Sequence, residues 1–173
     1  LSFRSAQNIY LANRQNEAIT HLKNYLNDYP KGYYTNEALF SLSDCYLKCD
    51  SITSAVASMK QLAEQPQNQY TVPVVEMLAR VTYENQMYEE SAPAYRRMYA
   101  LADGATKRTQ SANGYAESVL LQKNDDALLA MAGDLDTLAD VDAVMLRRVR
   151  FAKANVLNSR NEVDEAFKMY ESL

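Results

Sequence analysis

The sequence predicts an all-α protein, an α-α superhelix of about five helix-turn-helix repeats. Three observations carry that prediction. First, a small residue followed four positions on by a larger one opens a recurring phrase. It begins at Ala18 (Ala-Ile-Thr-His-Leu), Ala55 (Ala-Val-Ala-Ser-Met), Ser91 (Ser-Ala-Pro-Ala-Tyr), Ala127 (Ala-Leu-Leu-Ala-Met) and Ala166 (Ala-Phe-Lys-Met-Tyr), at intervals of 37, 36, 36 and 39 residues. Self-similarity at a period near this length marks a repeat architecture. Second, glycine and proline are scarce at four each, as expected where most residues are helical. Third, the stretch from Asn16 to Tyr46 reads as a helix, a proline-marked turn at Tyr29-Pro30, and another helix. The repeats fall at about 1–32, 33–69, 70–105, 106–141 and 142–173, forming a single repeat domain over 1–173.

The elements follow in order. Phe3, Ala6, Ile9 and Tyr10 lie at helical spacing, so residues 1–14 make a first helix. A tight turn at Asn13 to Asn16 leads to a second over 17–28, which stops before Pro30 because proline disfavours helix in the preceding residue. Lys31-Gly32 lets the chain reverse. Thr35 serves as N-cap for a helix running to Lys48, and after Asp50-Ser51 another runs to Glu64. Polar residues 65–69 form a loop. The next helix starts near Thr71 with Pro73 in its first turn, where proline is tolerated.

Pro93 lies inside the following helix. It removes a hydrogen bond and crowds a carbonyl one turn back, which predicts a kink at Glu89–Glu90 or a late start. A kink would read either as a hinge or as a tolerated irregularity. Asp103-Gly104 closes that helix with a C-terminal glycine. Helices over 106–122 and 124–139 follow, then one from Ala143 to Ser159 after Asp140-Val141-Asp142, and a last one opened by Asn161. Alternating small and large residues let paired helices approach closely and fill space: Ala18, Ala55, Ser91, Ala127 and Ala166 are the approach points, and Tyr46, Met59, Tyr95 and Met131 the knobs.

The chain resembles the tetratricopeptide repeat (TPR) family. The resemblance is carried by Leu39, Leu42, Ser43, Tyr46, Ala55, Met59 and Leu62 in repeat two, with Ala6, Ile9, Ala18, Leu22, Tyr25 and Pro30 in repeat one. Leu78, Ala79, Tyr88, Ser91, Tyr95 and Met98 carry it in repeat three, and Ala154, Leu157, Val163, Ala166 and Tyr170 in repeat five. Ala6, Ser43, Ala79 and Ala154 replace the family's first-helix glycine, and repeat four departs most, with Tyr115 where a small residue is expected. The resemblance implies a right-handed solenoid, and a non-catalytic interaction scaffold that binds a protein or peptide in a groove walled by first helices. It places Phe3, Gln7, Tyr10, Glu37, Phe40, Asp44, Leu47, Glu76, Arg80, Tyr83, Arg148, Phe151 and Asn155 on that wall. Phe40, Asp44, Leu47, Arg80, Tyr83, Arg148 and Phe151 are the expected partner-binding residues, apolar anchors with charges that set register. Tyr29-Pro30 and Ala38-Leu39-Phe40-x-Leu42-x-x-Cys45-Tyr46 resemble TPR units of bacterial cell-envelope proteins, including those coordinating division or outer-membrane assembly. That implies a periplasmic or outer-membrane-associated placement, with the cytoplasm as the alternative. A glycan- or ligand-binding sensing module and a structural spacer remain the other readings.

Composition bounds the rest. A net charge of −4 argues against a general nucleic-acid surface, which needs a basic footprint. No apolar run approaches the ~20 residues of a membrane span. Neither end carries a polar capping unit, so a piece of a longer protein is expected. Thirteen tyrosines and no tryptophan suit amphipathic inter-helix packing. Cys45 and Cys49 share a helix face and read as free thiols rather than metal or redox ligands, since zinc needs about four ligands and the single histidine, His21, lies a repeat away. Asp134, Asp136, Asp140 and Asp142 lack the glycine and spacing of a calcium loop. Beside Arg147, Arg148 and Arg150 they read as charge pairs between helix ends, or else Arg148 meets an acidic peptide. Without a Gly-rich phosphate loop, a histidine-paired nucleophile or a metal cluster, the sequence points to no enzyme, cofactor or metal.

Overall fold

The structure, a computed structural model, describes residues 2–173. Among these residues there are ten α-helices and no strand: α1 (Phe3–Leu11), α2 (Gln15–Asp28), α3 (Thr35–Lys48), α4 (Ile52–Ala63), α5 (Thr71–Glu84), α6 (Tyr88–Leu101), α7 (Ala105–Leu121), α8 (Asp125–Asp136), α9 (Ala143–Ser159) and α10 (Val163–Glu171). The fold is all-α, made of helix-turn-helix repeats in which consecutive helices pack together. The chain forms two compact units, residues 1–81 and 82–173, with the boundary inside α5. In the first unit α1 packs on α2, α2 on α3 and α3 on α4, with α1 also against α3. In the second, α6 packs on α7, α7 on α8 and α9, and α9 on α8 and α10.

One backbone device sets the repeat. The turns inside the five helix pairs each hold a non-glycine residue in the left-handed region: Asn13 (φ 57°), Asp50 (55°), Gln86 (59°), Lys123 (52°) and Asn161 (63°). Each donates its amide to the carbonyl three residues back: Asn13 to Tyr10 (3.0 Å), Asp50 to Leu47 (3.0 Å), Gln86 to Tyr83 (3.0 Å), Lys123 to Leu120 (3.4 Å) and Asn161 to Asn158 (3.1 Å). The next amide reaches five residues back in four of them, as Ser51 does to Tyr46 at 2.8 Å and Met87 to Thr82 at 2.8 Å. These paired bonds end a helix on a left-handed residue and satisfy carbonyls that would otherwise be orphaned.

The turns give the register that composition alone blurs. Five residues beyond each lies a buried residue: Ala18, Ala55, Ser91, Leu128 and Ala166. Seven residues before each lies a small buried one: Ala6, Ser43, Ala79, Ala116 and Ala154. Repeat four is therefore regular in its first helix. Ala116 takes the small position expected at Tyr115, and Tyr115 is buried one residue earlier. In its second helix the approach point is Leu128 rather than Ala127, and the following large position holds Ala132 rather than Met131. The size order of the pair is inverted, and both residues are buried in the core of the second unit.

Two other expectations are corrected, and at Pro93 one of the two alternatives, the late start, falls. Thr35 is the first residue of α3, and its hydroxyl donates to the Tyr29 carbonyl at 3.0 Å instead of capping the helix. Gly104 has φ 93°, but it sits at the N-cap of α7, three residues beyond the end of α6. α6 does not start late: it begins at Tyr88 and continues through Pro93.

Two outcomes follow from this backbone. Gln86 and Lys123 are exposed and strained by a left-handed conformation that β-carbons disfavour by roughly 1–2 kcal/mol, partly offset by the entropy glycine loses on folding. Gln86→Gly and Lys123→Gly should each raise unfolding free energy by about 0.5–1 kcal/mol in urea titrations, with Asn13→Gly near neutral. At the inverted pair, Leu128→Ala should cost about 2–4 kcal/mol and Ala132→Leu about 1–3 kcal/mol. The double exchange should cost less than their sum, because the two sites share one core.

Candidate functional site

The first helices of the first unit carry a polar layer that ties neighbour to neighbour. Gln7 on α1 donates to Glu37 on α3 at 2.8 Å. The Tyr10 hydroxyl donates to Asp44 on α3 at 2.9 Å, and Lys48 pairs with the same carboxylate at 2.7 Å while lying over the Tyr10 ring. Burial and then the Asp44 hydrogen bond push the Tyr10 phenol above its ordinary value. Asp44 is thus already shared by two donors of its own unit. Phe40 is half-buried with its ring 5.1 Å from that of Tyr70, and Leu47 is half-buried further along α3. Arg80 is exposed on α5. Phe3, expected on the same wall, is buried: it stacks on Tyr34 at 4.6 Å and tilts against Tyr25 at 5.4 Å.

In the second unit Tyr83 is half-buried, edge-on to Tyr88 and Tyr95. Burial, then a hydrogen bond to Glu117, pushes its phenol above the usual value. Glu117 stands six residues before its turn, as Gln7, Asp44, Arg80 and Asn155 stand before theirs. Sequence reasoning missed it because repeat four was read one residue out of register; the Lys123-Asn124 turn was the signal that could have found it. Arg148 and Phe151 come together on α9. Phe151 is 51 % exposed with its ring 5.9 Å from Tyr170, whose hydroxyl donates to Asn155 at 2.6 Å.

The acidic run divides among separate partners. Asp134 takes two bonds from Arg96 on α6, at 2.6 and 3.1 Å, and Tyr115 is bonded to it as well. Burial and the adjacent carboxylate push the Tyr115 phenol up to about 12. Asp140 accepts from Tyr99 at 2.8 Å and faces Arg108 at 3.4 Å. Asp142 caps α9 by accepting from the Val144 amide at 2.9 Å. Only Asp136 meets the basic run that follows, through Arg150 at 2.8 Å. The Asp134 and Asp136 bonds join α8 to α6 and α9, Asp140 ties the following loop to α6 and α7, and Asp142 caps its own helix.

The cysteines and the histidine occupy ordinary packing positions. Cys45 is buried in the core of the first unit, which pushes its thiol up to about 11. Cys49 is half-buried and donates to Asn16 at 3.6 Å. His21 Nε2 lies 3.9 Å from Glu17, and its Nδ1 is buried without a hydrogen-bond partner. Among the described residues no group of three or more His, Cys, Asp or Glu is arranged to hold a metal, and no helix is long and apolar enough to cross a membrane.

No family model matches the chain, and no curated protein matches it in sequence. Solved structures do align with it. Two are described as putative kinesin light chain nearly identical TPR-like repeats from Podosopora anserina, one of them a form with a single substitution. They cover 98 % and 97 % of this chain and 89 % of their own, at 15 % identity, with TM-scores of 0.47 and 0.45.

The Arg96–Asp134 staple makes a pH prediction. Hydrogen bonding from Arg96 holds the Asp134 carboxyl below its ordinary value. A depressed carboxyl stabilises the fold fully above its unfolded pKa of about 3.9 and loses that contribution as pH falls through the folded value. Both side chains are over a third exposed, so screening limits the contribution to roughly 0.5–1 kcal/mol. Asp134→Asn should lose about that much stability at pH 7, and the gap to wild type should close as pH falls below the ordinary carboxylate range in pH-dependent urea melts.

Proposed function

We propose that this chain is a non-catalytic scaffold that holds a protein or peptide partner on the faces of its first helices. The observation that carries the reading is Phe151, a large aromatic left about half exposed in the middle of an exposed stripe on α9. Exposed aromatics flanked by arginine are the side chains that anchor protein interfaces. The tied layer of Gln7, Glu37, Tyr10, Asp44 and Lys48 supports the same reading, because side chains already fixed by neighbours lose little entropy on binding. Phe40, Leu47, Arg80, Tyr83 and Arg148 are the further contacts the proposal assigns. A place in a bacterial cell-envelope assembly, periplasmic or outer-membrane-associated, is part of the proposal. Its support is the likeness of the Tyr29-Pro30 turn and residues 38–46 to repeat units of such proteins.

The test is site-specific photo-crosslinking in cells, with a photoreactive phenylalanine analogue at position 151 and a control at exposed Thr53 on α4. A discrete protein adduct at 151 and not at 53 is expected, and Phe151→Ala should weaken capture of that protein about tenfold or more. Equal adducts at both positions, or none at either, would leave the spacer reading in place of the scaffold.

A further inference from the structure

Val144, Arg147, Arg148, Phe151, Asn155 and Asn158 are all exposed along α9. Their spacing of three and four residues puts them on one face of the helix. The other side of α9 is spent on the core through Val149, Val156 and Leu157. The charges on the exposed face stand apart from those around them. Four arginines of the same unit meet an aspartate: Arg96 with Asp134, Arg108 with Asp140, Arg150 with Asp136 and Arg160 with Asp126. Arg147 and Arg148, like exposed Arg97 on α6, meet no carboxylate among the described residues, and Arg148 reaches only the sulfur of Met145, at 3.9 Å. In a chain of net charge −4, the face thus presents two adjacent unmatched guanidiniums between exposed Val144 and exposed Phe151.

Resting on the scaffold reading above, we infer that this face takes an acidic amphipathic helix of a protein partner. Val144 and Phe151 are seven residues apart, about 10 Å along the axis, which matches two apolar side chains two turns apart on a facing helix. Arg147 and Arg148 lie between them and receive Asp or Glu from the flank of that apolar stripe. A guanidinium binds a carboxylate through two parallel hydrogen bonds, which fixes register as well as sign. Nucleic acid fits less well, because two arginines make a small footprint for a phosphate backbone and the chain's net charge opposes it.

The experiment is fluorescence anisotropy of the full chain with three labelled helical peptides. All carry leucines at helical spacing; they differ only in having Glu, Gln or Lys beside the leucine stripe. The Glu peptide should bind about tenfold or more tighter than the Lys peptide at low salt. That preference should vanish in Arg147→Ser/Arg148→Ser, whose exposed positions leave the core intact, and should shrink as salt rises. Equal binding of all three peptides, lost on Phe151→Ser, would overturn the acidic partner and leave the scaffold reading standing. No binding by any of them would overturn both at this face. Tighter binding of a single-stranded DNA probe than of the Glu peptide would also overturn the inference.

Discussion

The structure depends on how closely two helices of a pair can approach. Five residues past each left-handed turn, and seven before it, the chain places a buried residue, small at nine of the ten positions. In the first unit Ala6 and Ala18 fall in one core cluster, where helix surfaces meet with little side-chain bulk and the larger Phe3 and Leu22 fill the remaining space to interior density. The turn and the small residues are one device. The turn fixes where the second helix begins, and so decides which residue arrives at the contact. Leu128 is the exception, and Ala132 one turn later gives back volume where the other second helices carry Leu22, Met59, Tyr95 or Tyr170. Gly114 shows the same economy on α7: a β-carbon there would lie 2.6 Å from the Tyr95 ring.

Around this apolar contact runs a second set of bonds between polar side chains of neighbouring helices. In the first unit they join α1 to α3 through Gln7–Glu37 and Tyr10–Asp44. In the second they join α8 to α6 and α9 through Arg96–Asp134 and Arg150–Asp136. Each pair is partly exposed and contributes little alone, since solvent screens it. Their effect is positional: each bond ties a long side chain of one helix to a side chain of another.

Charge matching also makes the α9 face distinct. Where most arginines of the second unit are consumed by aspartates of the same unit, Arg147 and Arg148 are left pointing outward beside an uncovered phenylalanine. Local sequence would have suggested the opposite, because these arginines follow directly on a run of four aspartates. Helix geometry separates them. Asp142 turns back to cap α9, Asp134 and Asp140 reach α6, and Asp136 alone reaches Arg150.

The sequence by itself determined the helical content, the repeat length near 37 residues and most helix boundaries, including α3 and α9. These depend on local matters: apolar spacing, proline and glycine positions, and side-chain size within one turn of helix. It also marked which helices supply Arg148 and Phe151. Only the tertiary structure decided the register of repeat four, where Leu128 takes the position that repeat spacing assigned to Ala127, and Ala116 the small position that the family resemblance put at Tyr115. A one-residue shift turns a helix face by about 100°, but small residues stand on several faces here (Ala112 and Ala116, then Ala127, Ala130 and Ala132), so small-residue spacing leaves the register open until the left-handed Lys123 fixes the turn. The tertiary structure likewise decided that Phe3 is core, that Asp44 is spoken for and that Arg147 is unmatched, because each depends on a residue brought close from a different helix or left without one.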